Sequence, residues 1–291
     1  MEHRLPDTVA TLKRWSKDTQ LLAAGVLLVA GLAHGDRALA LDESIPCDPE
    51  PTDMAISYSD VVSCSIDIVG DVDIFRFSGT AGEVVTVRGS KLAGGPNTAP
   101  CLELFDPQGG VVGSHCLSQG ARIDAALAQT GTYSVLVSEF FNDNTMDYTF
   151  LVERVAPPSA GAGYICPGCE LQDSIDPIGD HDLFFFVGTA GDVISILASK
   201  LAGGPNTAPC LELFDPQGGV VDSHCLAQGA QIDATLAQTG PYSILVSEFP
   251  NDNTMDYTLS YQCVVGVCFD IFIFADGFES GDTSAWSSTL P

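Results

Sequence analysis

The sequence is poor in basic residues. It contains 11 Lys and Arg against 38 Asp and Glu, and its net charge at pH 7 is −27. A nucleic-acid-binding face needs clustered cations that neutralise phosphates, so this balance excludes DNA and RNA as partners. Strong acidity instead favours a well-solvated extracellular surface, or one that attracts divalent cations.

The sequence is also poor in groups that carry catalysis. Only three of its five histidines lie beyond residue 40, at His115, His181 and His224. Gly-x-Ser-x-Gly, His-Glu-x-x-His and a phosphate-binding glycine loop are all missing from the sequence. These absences predict a protein without a catalytic site. A metal site at Asp180-His181-Asp182 is an alternative for one of the three histidines.

The apolar run near the N-terminus, Leu21 to Ala33, is too short for a membrane helix, which needs about 20 residues. Four basic residues precede it, and the small residues Ala38 and Ala40 follow it. This order predicts an export signal over residues 1–40, with an uncleaved anchor as the alternative. Cleavage would leave 6 basic and 34 acidic residues, a net charge of −28. We therefore expect an extracellular or cell-surface location, with the periplasm as the alternative.

Ten cysteines, an even number, all lie beyond residue 40. In an exported protein such a set predicts a disulfide framework. The cysteines and the N-terminal segment thus indicate an oxidising compartment independently of each other.

The chain contains two copies of one unit. The 23 letters from Ser90 to Val112 recur without change from Ser199 to Val221, an offset of 109 residues. The same offset relates the segments that start at Gly70 and Gly179. Each copy is long enough to be a domain, and a Pro-, Gly- and Ala-rich linker separates the two. We predict a signal peptide over 1–40, repeat 1 over 41–157, repeat 2 over 158–262, and a C-terminal strand and tail over 263–291.

The pattern within each copy is that of β-strands. Apolar residues alternate with others at Phe75 and Phe77, and again at Tyr133, Val135 and Val137. Turn-forming clusters such as "GTAG", "DPQGG" and "QTG" follow at intervals of about 8–12 residues. The ambiguous run "ARIDAALAQTG" is predicted as a strand and a turn. The fold class is therefore all-β, with two tandem jelly-roll-like antiparallel β-sandwich domains.

A hairpin within the duplicated stretch has a predictable register. A turn centred on Gln108 and Gly109 places Cys101 opposite Cys116, and Phe105 opposite Val112. Directly opposed residues of antiparallel strands lie within about 5.5 Å at Cα, a distance that a disulfide can bridge. The second copy predicts the equivalent pair Cys210–Cys225.

The other six cysteines have no partners by repeat symmetry. The simplest local pairings are Cys47–Cys64, Cys166–Cys169 and Cys263–Cys268. Two alternatives stay open for the last four cysteines: a zinc site of four thiolates, and a redox-active Cys-Pro-Gly-Cys.

The motifs "GDVDIFRFSGTAGEVVTV", "LELFDPQGG", "GTYSVLVS" and "DYTFLV" occur in this order in repeat 1. Together they resemble the bacterial pre-peptidase C-terminal domain, and repeat 2 carries all four with Pro241 in place of Thr132. The resemblance implies a jelly-roll-like sandwich of about eight strands in each repeat. Such domains are usually attached to secreted enzymes, and this sequence shows no enzyme domain beside them.

The best candidate ligand is calcium, and no cofactor is predicted to be required. The loop "NDNTMD" gathers oxygen ligands in each repeat, as Ca²⁺ requires. The alternative is a solvated turn that bonds its own backbone. The candidate ligands are Asn142, Asp143, Asn144 and Asp147 in repeat 1, and Asn251, Asp252, Asn253 and Asp256 in repeat 2.

Paired carboxylates also precede each first long strand, at Asp71 and Asp73 and at Asp180 and Asp182. Residues two apart share one face of a strand, and we predict a structural role for these pairs.

The sequence as a whole predicts a secreted, non-catalytic binding or cell-surface interaction protein. Its expected partner is an extracellular polymer or a surface protein, and the protein is expected to be a monomer without a membrane span in its mature part. The alternatives are accessory domains that act in trans with a secreted hydrolase, and a purely structural surface protein.

Overall fold

A computed structural model of the protein describes residues 44–47 and 50–268. The predicted signal peptide over 1–40 and the part of the predicted tail from residue 269 lie outside the described residues. All regular elements in the described ranges are β-strands, which confirms the predicted fold class. These residues include no helix of the length and apolar character needed to cross a membrane.

Within the described residues, repeat 1 contains ten strands and repeat 2 contains nine. The strands of repeat 1 are β1 (Ile45–Pro46), β2 (Asp53–Ala55), β3 (Val62–Ile66), β4 (Val72–Gly79), β5 (Val84–Gly94), β6 (Pro100–Phe105), β7 (Val111–Cys116), β8 (Gly120–Ala126), β9 (Gly131–Glu139) and β10 (Met146–Ala156). The strands of repeat 2 are β11 (Gly163–Tyr164), β12 (Glu170–Ile175), β13 (His181–Gly188), β14 (Val193–Gly203), β15 (Ala208–Phe214), β16 (Val220–Cys225), β17 (Gly229–Thr235), β18 (Gly240–Phe249) and β19 (Met255–Val265).

Each repeat has two sheets. Those of repeat 1 have the strand orders β1-β3-β10-β5-β8 and β2-β4-β9-β6-β7, and those of repeat 2 have the orders β12-β19-β14-β17 and β11-β13-β18-β15-β16. The short strands β1, β2 and β11 pair parallel with their neighbours, and all other pairs are antiparallel. Without these three strands each repeat retains eight, as expected for the predicted sandwich.

Alternating burial along the strands builds the two cores. In β4 the buried residues include Phe75 and Phe77, whose side chains point between the two sheets. Phe75 stacks on Phe150 of the opposite sheet with ring centroids 4.4 Å apart, and Phe77 stacks on Tyr133 of the neighbouring strand at 5.5 Å. Burial of such aromatic rings is a large part of what holds two sheets face to face.

The ambiguous run "ARIDAALAQTG" forms strand β8 followed by a turn, as predicted. The Tyr133 hydroxyl closes this turn by donating a hydrogen bond of 2.9 Å to the Gln129 carbonyl. Tyr242 does the same in repeat 2 with the Gln238 carbonyl, at 3.0 Å. Each tyrosine thus buries its ring in the core while its hydroxyl bonds to backbone.

The hairpin register is as predicted at its open end and differs near its turn. Cys101 lies opposite Cys116, and Leu102 lies opposite His115. The register shifts after Leu104, so Phe105 pairs with Val111, and the predicted pairing with Val112 is wrong by one residue. A β-bulge beside the turn accounts for the extra residue.

All five cysteine pairs named from the sequence are brought together at Cα–Cα distances of 4.1 to 6.0 Å, which are compatible with disulfides. No cysteine among the described residues is free. The pairs are Cys47–Cys64, Cys101–Cys116, Cys166–Cys169, Cys210–Cys225 and Cys263–Cys268.

The two repeats pack against each other through a small apolar cluster. Val155 at the end of β10 contacts Leu183, Phe214 and Leu245 of repeat 2, and all four residues are buried. Ala162 packs against the same cluster. The segment predicted as a linker is therefore part of the contact between the repeats.

Charged and polar groups surround this cluster. Glu212 of repeat 2 accepts hydrogen bonds from Arg88 at 3.3 Å and from Arg122 at 2.5 Å, both in repeat 1. The Thr149 hydroxyl donates to the Ile178 carbonyl at 2.8 Å, and the Ser243 hydroxyl donates to the Val155 carbonyl at 2.5 Å. These bonds fix the orientation of one sandwich on the other.

Candidate functional sites

Three carboxylates of repeat 1 meet at the start of β4. Strand β2 pairs parallel with β4, with Asp53 opposite Ile74. Glu50 lies three positions before Asp53, and Asp71 lies three positions before Ile74. The parallel pairing therefore brings both carboxylates to the same end of the sheet, where Asp73 joins them. One oxygen from each of Glu50, Asp71 and Asp73 lies within 4.8 Å of the other two, which makes this the one such group among the described residues.

Asp73 is the most unusual member of this group. It is fully buried, its Oδ2 accepts a hydrogen bond from the hydroxyl of Tyr148, and the Thr52 side chain also bonds its carboxylate, while Oδ1 has no hydrogen-bond partner of good geometry. Oδ2 of Asp71 is likewise buried and unpartnered, although Oδ1 accepts a bond from the Val72 N–H. Burial raises the pKa of Asp73 to about 6, against the opposing effect of its hydrogen bonds. A divalent cation would satisfy both unpartnered oxygens and would favour the charged form of Asp73.

Repeat 2 preserves only part of this arrangement. Asp180 and Asp182 occupy the equivalent positions, and the Tyr257 hydroxyl donates to Asp182 at 2.6 Å. Ser159 stands 109 residues after Glu50, so repeat 2 has no third carboxylate at that position. The paired carboxylates thus lie in different surroundings in the two repeats.

The loops "NDNTMD", which supply the predicted calcium ligands, are closed by a buried glutamate that the sequence reasoning missed. Glu139 Oε2 accepts the N–H groups of Phe141 and Asp143 at 3.1 and 3.3 Å. Glu248 Oε2 accepts three N–H groups of the equivalent loop at 2.9 to 3.3 Å. A glutamate at the end of a strand, just before an Asn- and Asp-rich turn, is the signal that could have indicated this role.

The eight predicted ligands have varied surroundings within these loops. Asn142 and Asn251 adopt left-handed φ values of 54° and 75°, which asparagine tolerates in turns. The Asn144 amide donates to Asp143, and Asp147 accepts the Ser65 hydroxyl at 2.7 Å. In repeat 2 the Asn253 amide likewise donates to Asp252, and Asp256 lies opposite Ser174. Calcium binding by these loops stays a prediction.

The three histidines take two different roles. Nδ1 of His115 accepts the Arg122 N–H at 2.9 Å, and Nδ1 of His224 accepts the Gln231 N–H at 3.0 Å, both on exposed strands. His181 is buried where the two repeats meet, and neither of its ring nitrogens has a hydrogen-bond partner of good geometry. Burial first, and then the nearby cations Arg88 and Arg122, hold its pKa well below the usual value.

An apolar tip lies beside the disulfide of each hairpin. In repeat 1, Leu117, Phe140 and Phe141 are 53 %, 50 % and 62 % exposed. They border a surface depression of 320 Å³ next to Cys116. In repeat 2, Leu226 and Phe249 are similarly exposed, at 54 % and 57 %. Each repeat thus displays large apolar side chains at the same place.

Residues next to the two tips approach each other. A Cβ placed on Gly120, three residues after Leu117, would lie 3.6 Å from the Asn251 side chain, two residues after Phe249. The tips therefore border one surface that contains residues of both repeats. Exposed apolar side chains grouped as in each tip mark sites of interaction with partners.

Comparisons with known proteins give remote structural likenesses. Neither a protein-family model nor a curated protein matches the chain. The pre-peptidase C-terminal domain of Bacillus anthracis collagenase is 18 % identical, covers 36 % of this chain and 97 % of its own, and has a TM-score of 0.30. The CBM22-1–CBM22-2 tandem of Paenibacillus barcinonensis Xyn10C is 11 % identical, covers 66 % of this chain and 83 % of its own, and has a TM-score of 0.23. Because these values are low, the fold rests on the strand pairing described above and any function rests on the residues.

Proposed function

We propose that this is an exported, non-catalytic binding protein that holds an extracellular polymer or surface protein against its two apolar tips. The exposed side chains Leu117, Phe140 and Phe141, with Leu226 and Phe249 beside them, are the observation that carries this proposal. Five disulfide-compatible cysteine pairs support export, because disulfides persist in oxidising compartments.

Two neighbouring tips favour an extended or repetitive partner. When one tip has bound, the second binds at the high effective concentration that the fixed geometry of the repeats provides. Affinity for a repetitive target would then exceed that of either tip alone. The nearly identical loops of the two repeats fit this use.

A solid-phase binding screen against glycans, collagen and peptidoglycan tests the proposal. The variant Phe140→Ser/Phe141→Ser should lose most of its binding to any ligand found, and Phe249→Ser should weaken the same interaction. Ile68→Ser, at a residue that is 65 % exposed but outside the tips, is the control. Binding that survives both tip variants would contradict the proposal.

We further propose that Glu50, Asp71 and Asp73 bind one calcium ion. Calcium takes six to eight oxygen ligands, and the three carboxylates supply a core that backbone carbonyls and water can complete. The unpartnered oxygens of Asp71 and Asp73 are the observation that favours this site.

A thermal melt with chelator and with millimolar calcium tests the ion site. Calcium should raise the midpoint of the native protein by mass action, and Asp73→Asn should remove that increase. The equivalent change Asp182→Asn in repeat 2 is the matched control and should leave the calcium effect intact. If calcium acts instead through the loops, Asp147→Ala and Asp256→Ala will abolish the effect and Asp73→Asn will not.

A further inference from the structure

The contact between the repeats joins two different faces. Repeat 2 contributes what we call the docking face, formed by Leu183, Glu212, Phe214 and Leu245 on β13, β15 and β18. Repeat 1 contributes the receiving face, formed by Val84, Arg88, Arg122 and Val155 on β5, β8 and β10. Because the repeats share one fold, each of them must contain both faces, and one face of each is not used in this contact.

The unused docking face of repeat 1 keeps its apolar residues. Ile74, Phe105 and Leu136 lie 109 positions before Leu183, Phe214 and Leu245. The residues of repeat 2 are 7 %, 2 % and 1 % exposed, whereas those of repeat 1 are only partly buried. Ile74, Phe105 and Leu136 line a surface depression of 440 Å³ that no described residue fills.

Two glycines show the same difference between the repeats. A Cβ on Gly218 would lie 2.6 Å from Val84, and one on Gly179 would lie 2.2 Å from the Thr149 hydroxyl. At the equivalent positions Gly109 and Gly70, a Cβ would meet no atom within 4 Å. The backbone of repeat 2 is thus covered by repeat 1 at both points, and that of repeat 1 is open.

The unused receiving face of repeat 2 keeps its valines and has lost its arginines. Val193 and Val264 are the equivalents of Val84 and Val155, and Val264 is 59 % exposed. Leu197 replaces Arg88, and Gln231 replaces Arg122. Leu197 is 36 % exposed, so this face presents an apolar surface without the charge of its counterpart.

We propose that a second copy of this chain places the receiving face of its repeat 2 on the docking face of repeat 1, so that the contact between the repeats recurs between chains. The partner is a second copy because the equivalent docking face of repeat 2 is covered by the receiving face of repeat 1, and the receiving face of repeat 2 has the same fold and is exposed. A contact between two different faces is heterologous, and it generates rings or open filaments. This proposal departs from the monomer expected from the sequence.

The contact between chains is weaker than the contact within one chain. Glu103, the equivalent of Glu212, would meet Leu197 and Gln231 of the second chain. It would therefore have no cationic partner such as Glu212 has in Arg88 and Arg122. Arg76, which replaces Phe185, adds a charge at the same face and is held by Asp53 at 2.7 Å. The contact within a chain also profits from an effective concentration on the order of millimolar, which separate chains lack.

Sedimentation of the full chain, expressed with its leader and purified after export, tests the proposal. The protein should associate reversibly as its concentration rises from about 10 μM to about 1 mM. Phe105→Glu should abolish the association because it places a charge in the docking face. Phe141→Glu, the same change at an exposed phenylalanine of the tip, is the matched control and should leave association unchanged.

Mixing two variants shows whether the contact joins different faces. Val264→Glu damages only the receiving face, and Phe105→Glu damages only the docking face. Each variant alone should be monomeric, and an equimolar mixture should form a dimer and nothing larger, because each chain retains one intact face. A mixture that stays monomeric would overturn the proposal.

Introducing the two arginines that repeat 2 lacks should strengthen the association between chains. Leu197→Arg/Gln231→Arg should tighten association at least about tenfold at low salt, because Glu103 regains two cationic partners. The gain should shrink as salt is added. The inference would be refuted if the wild-type chain and the arginine variant both stay monomeric throughout the concentration range. It would also be refuted if Phe105→Glu leaves the association intact.

Discussion

Truncating one phenylalanine in each repeat measures the contact between the repeats. Phe214 and Phe105 are equivalent by sequence, have the same neighbours along the chain and end the equivalent strands β15 and β6. Phe214 is 2 % exposed because repeat 1 covers it, whereas Phe105 is only partly buried. We therefore expect Phe214→Ala to destabilise the protein more than Phe105→Ala.

The size of the difference follows from the burial of the two rings. Truncation of a buried phenylalanine costs about 3–5 kcal/mol. For Phe214 the lower end applies, about 3 kcal/mol, since the contact between the repeats can open and admit water to the cavity. Phe105 is only partly buried and borders an open depression, and we expect a smaller loss of about 1 kcal/mol. The variants should thus differ by about 2 kcal/mol, or about 4–8 °C in melting midpoint for a chain of this size.

Thermal and urea unfolding with the disulfides intact provide the measurement. Phe214→Ala should also separate the unfolding of the two repeats, so that different probes no longer give coincident transitions. Phe105→Ala should keep the wild-type cooperativity. Equal losses for the two variants would show that Phe214 is not covered in solution, and would refute the reasoning about the docked faces.

Three further predictions concern the same structure. Glu212→Gln should weaken the contact between the repeats by about 2 kcal/mol in urea unfolding, since it removes the carboxylate that Arg88 and Arg122 share and leaves only Asp124 beside Arg122, whereas Glu103→Gln should have little effect. His181 has a depressed pKa in the folded state, so its contribution to stability is full above its unfolded pKa of about 6.5 and is lost as the pH falls below that value. Replacing it by valine, the residue of repeat 1, should reduce the acid sensitivity of the melting midpoint between pH 7.5 and 4.5; an unchanged pH profile would contradict this. Non-reducing peptide mapping should recover Cys101 linked to Cys116 and Cys210 linked to Cys225, and a free thiol or a link between the repeats would contradict the hairpin register.

The fold could be predicted from the sequence because its determinants are local. Alternating burial at Phe75 and Phe77 is set by the two-residue period of a strand. The pairing of Cys101 with Cys116 follows from the predicted position of the turn and from counting residues outward along the two strands. The bulge at Phe105 was missed, since nothing in the letters "FDPQGG" distinguishes a shift of one residue on one side of the turn.

The candidate sites depend on contacts between distant parts of the chain. Glu50 approaches Asp71 because β2 pairs parallel with β4, a pairing that local patterns do not indicate. The docked faces show the limit most clearly. Phe105 and Phe214 lie in identical sequence, so only the arrangement of the two repeats decides which of them is buried.

The two closed hairpins also affect how the protein folds. Neighbouring domains of nearly identical sequence misfold by exchanging equivalent segments during folding. Each bridge joins residues only 15 positions apart, within a hairpin whose two strands can pair before distant strands meet. Once it has closed, β6 and β7 can be exchanged with β15 and β16 only as whole hairpins, and never one strand at a time. The two bridges, once formed, thus limit the number of mispaired states open to a chain that carries the same hairpin twice.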